Sequence, residues 1–187
     1  MIYLSKGVVL GKPTGSCVSV SHCGALHKLS GTHARLWLAG QHSPCYTQTP
    51  EQDDALGQLV VLGIAECDDS LDGMALFRLL ANCAICPTRV KAPPSILNLT
   101  ERRLWKWVRY AGLRLTMAEL TMLTDLGIPP APELLGEENR QALTEAIYSI
   151  DSIHDGILET MMERSPARIC AVQAVLGLLR KKKIFLI

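Results

Sequence analysis

Cys83-Ala-Ile-Cys86 is the one C-x-x-C pair among seven cysteines. Such a pair supplies two of the four ligands of a tetrahedral zinc site, and a second closely spaced pair must supply the rest. The partners on offer are Cys17, His22 and Cys23, and Cys17 and Cys23 stand too far apart for a knuckle. Cys83 and Cys86 also continue the apolar pattern of "MALFRLLANCAIC", which places them at core positions of a helix. His22, His27, His33 and His42 collect in the first half with Cys17, Cys23 and Cys45. These types make metal ligands and nucleophiles. None stand at ligand spacing, so they read as surface and hairpin polar residues. No metal, no cofactor and no disulfide is expected, the last because no secretory signal opens the chain.

Hydrolytic and phosphoryl-transfer chemistry find little support. "GKPTG" is too short for a phosphate-cradling G-x-x-x-x-G-K-[ST] loop. The serines lack the setting of a nucleophile elbow. Asp53-Asp54 and the acids of "DDSLD" at 68–72 suit a helix N-terminus and a turn better than acid catalysis. The chain is read as a non-enzyme.

The cations are more informative. In "ERRLWKWVRYAGLR" a buried stripe is expected from Leu104, Trp107, Val108 and Ala111. Arg102, Lys106 and Arg109, at i, i+4 and i+7, share another face. Trp105 falls outside the stripe, and Arg103 and Arg114 add charge. A second run, Arg180, Lys181, Lys182 and Lys183, follows the last helix and completes nine cations in two short segments. Such local concentration is what phosphate contact needs. Cations at a helix C-terminus also gain about 0.3–1 kcal/mol from its dipole whatever the function. The net charge of +1 excludes a globally basic surface, so any polyanion site is a local patch. All nine cations are assigned to DNA contact.

The elements that must position these groups follow from patterning. With 187 residues and 48% hydrophobic content the chain can fill one large core or two small ones. Its longest apolar stretches, "LVVLGIA" and "ICAVQAVLGLL", fall short of the about 20 residues that span a bilayer. An intracellular, cytoplasmic protein without a membrane partner is expected.

Pro93-Pro94 marks the boundary between modules 1–92 and 93–187. Each half repeats a theme: "TPEQDDALGQLVVLGIAEC" from Thr49 lies on "SPARICAVQAVLGLLRKKKIFLI" from Ser165, Pro50 on Pro166 and Leu56 on Val172. Thr or Ser suits the N-cap and Pro the first helical position, and Gln52 can complete a capping box. A short strand should follow each helix.

Upstream, Ser30 is expected to cap a helix with Leu36 and Trp37 in the core, after a hairpin formed by "GVVLG" and "CVSVSHCGALHKL". Thr100 is the expected cap of a helix ended by Gly112, and Thr116 with Glu119 makes a capping box closed by Gly127. A long helix should cover most of "ENRQALTEAIYSIDSIHDGILETMMERS".

On these residues, "VLGLLRKKKIFL" resembles the third helix and first wing strand of winged helix-turn-helix transcriptional regulators. "VVLGKPTGSCVSVSHCGALHKLSGTHARLWLAG" is similar to the hairpin and first helix of PqqD-like winged-helix domains, which bind leader peptides of ribosomally made natural products. The resemblance implies an α+β, mostly helical protein of two winged-helix-like modules in tandem. It implies duplex DNA as partner of the second module and a peptide or protein as partner of the first. A homodimer is a further arrangement it allows. The helix from Thr49 opens on Glu51, Gln52, Asp53 and Asp54, and these acids would repel phosphates. The terminal "KIFLI" should dock as a strand, because about 25 cal/mol is lost per Å² of apolar surface left in water. "MIYL", "GVVLG" or a second subunit could pair with it. Protein purified under reducing conditions should carry no stoichiometric zinc, which elemental analysis measures.

Overall fold

The computed structural model describes residues 1–14, 17–70, 72–88, 96–110, 115–130 and 157–187. Chain contacts divide it into two compact units, Met1–Cys83 with Phe185–Ile187, and Ala84–Ile184. Both mix helix and strand. Pro93-Pro94, Gly112 and residues 138–156 of the expected long helix lie outside the described residues.

The first unit is built round β1 (Ile2–Ser5), buried along its whole length. It lies between two antiparallel strands, β5 (Cys45–Tyr46) and β6 (Ala65–Asp68), with Tyr3 opposite both Cys45 and Cys67. A second sheet is the meander of β2 (Val8–Thr14), β3 (Cys17–His22) and β4 (Ala25–Ser30). The expected hairpin is therefore a three-stranded ribbon, because "CVSVSHCGALHKL" is two strands. Cys23 and Gly24 both take positive φ, 48° and 84°, and form the two-residue turn between them. Such a turn matches the twist of the flanking strands.

Three helices complete the unit: α1 (Gly31–Gly40), α2 (Pro50–Val61) and α3 (Ala75–Ala81). Ser30 precedes α1 in extended conformation but makes no side-chain cap bond. Leu36 and Trp37 of α1 join a core with Val18, Val20, Leu56 and Leu59. The Trp37 indole N–H donates to both Lys6 O (3.2 Å) and Ile64 O (3.1 Å), so one buried donor ties α1 to the residues after β1 and before β6. Thr49 Oγ1 accepts from Gln52 N–H as expected, but Gln52 Oε1 accepts from Gln48 N–H rather than from the cap residue. Cys83 and Cys86 are buried but not helical. Helix α3 ends at Ala81, and Cys86 lies in β7 (Ile85–Pro87). Burial pushes the Cys83 thiol up to about 12.

The second unit holds α4 (Leu99–Tyr110), α5 (Met117–Asp125), α6 (Ile157–Arg164) and α7 (Arg168–Arg180). Helix α4 packs on α7, and α5 on both α6 and α7. Thr116 and Glu119 make both bonds of the expected capping box, and Gly127 follows the end of α5. Ile85 N–H donates to Leu115 O (2.9 Å), and Thr88 N–H to Lys183 O (2.9 Å). The chain ends in the strand β8 (Ile184–Leu186), whose last two residues belong to the first unit. "KIFLI" is thus an ordered strand, and Leu186 O also accepts from Gly7 N–H (2.7 Å), the first residue of "GVVLG".

A helix-then-strand segment occurs twice in the chain, with the same cap. After α2, the N–H groups of Leu62, Gly63 and Ile64 donate to Gln58, Val60 and Leu59. After α7, those of Lys181, Lys182 and Lys183 donate to Gly177, Leu179 and Leu178. The left-handed residue is Gly63 (φ 74°) in one and Lys182 (φ 55°) in the other. Gly63 thus corresponds to Lys182, three residues away from the pairing that set Thr49 on Ser165. The reason lies at the helix start. Ser165 Oγ accepts from Ala167 N–H in a turn, and α7 begins only at Arg168. A shift of three residues keeps an apolar face in place, which is why the sequences match at either register.

Two glycines separate close packing from helix propensity. A Cβ on Gly40 would stand 2.7 Å from both Ser5 Oγ and a Tyr3 ring carbon, whereas one on Gly57 in α2 meets nothing within 4 Å. Chemical denaturation should show Gly40→Ala destabilised by about 1–3 kcal/mol through overpacking. Gly57→Ala should be stabilised by about 0.5–1 kcal/mol.

Candidate nucleic-acid interface

Helix α4 starts one turn's reach before its first cation. Asn98 Oδ1 accepts from Glu101 N–H (2.8 Å) and Glu101 Oε2 accepts from Asn98 N–H (2.9 Å), a reciprocal cap. Asn98 therefore does the work expected of Thr100. The signal was present in "NLTE", where an Asx residue precedes a glutamate by three. Leu104, Trp107 and Val108 are buried as expected, and Ala111 lies outside the described residues.

Glu101 is only 4% exposed and lies against α7. A Cβ on Gly177 would fall on its carboxylate, so this close approach requires glycine there. Lys181 Nζ meets Glu101 Oε2 at 2.5 Å and donates to Ile96 O at 3.0 Å. Burying a carboxylate is costly unless it is paired and hydrogen-bonded, and Lys181 with the Asn98 amide meets that need.

This pairing sorts the nine cations. Lys181 is engaged by Glu101, and Lys183 is 4% exposed. Arg180 and Lys182 are exposed at the end of α7. Arg114 lies outside the described residues. Arg102, Arg103, Lys106 and Arg109 are exposed on one side of α4. Arg103 donates to Gly127 O (3.0 Å) and Arg102 to Leu97 O (3.4 Å), which orders both side chains at the surface. The Arg109 guanidinium stands over the Trp105 ring, 4.8 Å from its centroid. The outward side of α7 is different. Ile169, Cys170 and Gln173 are exposed there, with no cation among them until Arg180.

Elsewhere several polar groups are bound to one another. Arg78 of α3 donates to Asp68 Oδ2 (2.8 Å) and Asp72 Oδ1 (2.7 Å), and Ser70 Oγ bonds both Asp68 and Arg78. Arg78 holds the Asp68 carboxyl down at about 2, mainly through its hydrogen bond. This network was not legible in sequence, since nothing local to "DDSLD" identifies Arg78 as its partner. His33 Nε2 bonds Gln58 Oε1 (2.8 Å), His22 Nε2 lies 3.7 Å from Cys23 Sγ, and Cys45 Sγ donates to Ala39 O. Among the described residues no group of three His, Cys, Asp or Glu side chains is placed to hold a metal ion. None of their helices is long and apolar enough to cross a membrane. On α2, Glu51 and Asp54 are exposed, and Glu51 Oε1 accepts from Thr32 Oγ1 (3.1 Å). No family model, curated protein or solved structure matches the chain.

The Asp68 shift sets a pH dependence. A carboxyl lowered from its usual 3.8 to about 2 contributes stability that is present above 3.8 and lost as pH falls through 2. Arg78→Gln should therefore lower the denaturation midpoint at pH 7, and the difference from the parent protein should fade between those two pH values.

Proposed function

We propose that this chain is a non-enzymatic, cytoplasmic DNA-binding protein of transcriptional-regulator type, contacting phosphates through α4 of its second unit. One observation carries the reading: Arg102, Arg103, Lys106 and Arg109 are exposed together along one helix of a protein whose net charge is only +1. A cluster of that kind makes a local positive field on a near-neutral molecule. Arg180 and Lys182 add charge at the end of α7, while Lys181 and Lys183 serve the fold.

A second reading is favoured by a different observation. Strand β4 pairs with β3 on one side and is the edge of its sheet. Its outward-facing Leu26 is 58% exposed. An extended peptide adding to that edge would make the first unit a peptide-binding module. The acids of α2 suit such a partner better than they suit phosphate. Chemical-shift changes confined to residues 25–30 on addition of an extended peptide would support it.

Fluorescence anisotropy against labelled random-sequence DNA, titrated from low to physiological salt, tests the first reading. The triple variant Arg102→Ala/Lys106→Ala/Arg109→Ala should bind all sequences more weakly. Its log–log salt slope should flatten by about one unit per lost phosphate contact. A parent protein that binds no DNA at low salt removes the reading in favour of the peptide.

A further inference from the structure

Trp105 stands outside the fully buried stripe of α4. Its neighbours Leu104, Trp107 and Val108 are each no more than 2% exposed, whereas Trp105 is partly exposed at the flank of the cationic face. Its exposed neighbours on the helix are cationic: Arg102 three residues before, Lys106 next to it and Arg109 four after. Arg109 covers the ring with its guanidinium at 4.8 Å. The ring thus keeps part of its surface accessible beside cations.

We infer that the Trp105–Arg109 pair is a stacking platform for an unpaired nucleobase, and that α4 seats single-stranded nucleic acid. This rests on the phosphate-binding reading of α4 and adds the form of the polyanion.

The argument is one of available faces. In a closed duplex each base already stacks on its neighbours, so an aromatic side chain gains nothing from its π-face. In a single strand the bases turn out and stack on aromatic rings and guanidinium planes, while the backbone follows a line of cations. The α4 surface offers both parts within 12 residues. The cations supply charge complementarity, and the guanidinium-covered indole supplies a flat surface of the right size. The outward face of α7 offers no cation at Ile169, Cys170 or Gln173, and its exposed charge, Arg180, stands at the helix end.

The chain's own fluorescence provides the test. Of its three tryptophans, Trp37 and Trp107 are 0% and 2% exposed, so quenching by a bound base reports Trp105. A twelve-residue oligothymidylate and a twelve-base-pair duplex are titrated into the full chain at low salt. The single strand should quench the emission and bind more tightly than the duplex. Its log–log salt slope should be about −3 for four phosphate contacts.

Trp105→Leu should lose about 5- to 150-fold in single-strand affinity with duplex binding unchanged, and Trp105→Phe should retain most of it. If Trp105→Leu fails to fold by circular dichroism, quenching in the parent protein decides. Unquenched emission at saturation, or equal affinity for the two forms with Trp105→Leu unaffected, overturns the platform and leaves the phosphate reading standing. Failure to bind either form at low salt removes both. Capture by phosphatidylglycerol vesicles with no oligonucleotide binding overturns both in favour of a lipid surface.

Discussion

The second unit depends on a carboxylate placed between two helices. Glu101 caps α4 through Asn98, lies where a side chain at Gly177 would otherwise stand, and takes Lys181 as its counter-ion. Each contact restricts the others. Without a cationic partner the buried charge would be expensive. Without glycine at 177 the helices could not close on it. With both in place α4 is held by its start against the end of α7, and its opposite side is left to solvent. The exposed cations of α4 are therefore a consequence of where its one buried acid goes.

The first unit distributes its polar contacts differently. Trp37 gives one N–H to two backbone carbonyls, and Tyr3 donates to Leu36 O (3.1 Å) while burial pushes its hydroxyl up to about 12. These are neutral bonds that anchor α1 to the sheet of β1. Charge lies outside them, in the Asp68–Arg78–Asp72 network and in the acids that open α2. The segments of α2 and α7 thus share a helix, a left-handed residue and a strand, yet α2 opens on acids and α7 ends on cations. A common local structure does not carry a common partner.

The shared cap shows how a sequence pattern can be correct and misregistered at once. "TPEQDD" and "SPARIC" both begin with a hydroxyl residue and proline, and the first does start a helix at Pro50. In the second, Ser165 is buried and uses its hydroxyl on Ala167 N–H, so the helix waits until Arg168. Likewise Thr100 and Asn98 were both eligible caps for α4. The choice fell on Asn98 because its partner Glu101 is also the residue that packs on α7.

By itself the sequence determined the locally encoded features. These are the amphipathic stripe of Leu104, Trp107 and Val108, the Thr116–Glu119 capping box, the helix at Pro50 and the strands that follow α2 and α7. Each rests on residues within one or two turns of one another, where spacing alone dictates geometry. Only the tertiary structure decided which cations are free. Lys181 is separated from Glu101 by 80 residues, and Arg78 meets Asp68 from a different element. Desolvation and pairing of that kind depend on which surfaces close together, and four consecutive cations in a sequence carry no mark of which will be paired, which buried and which left in water.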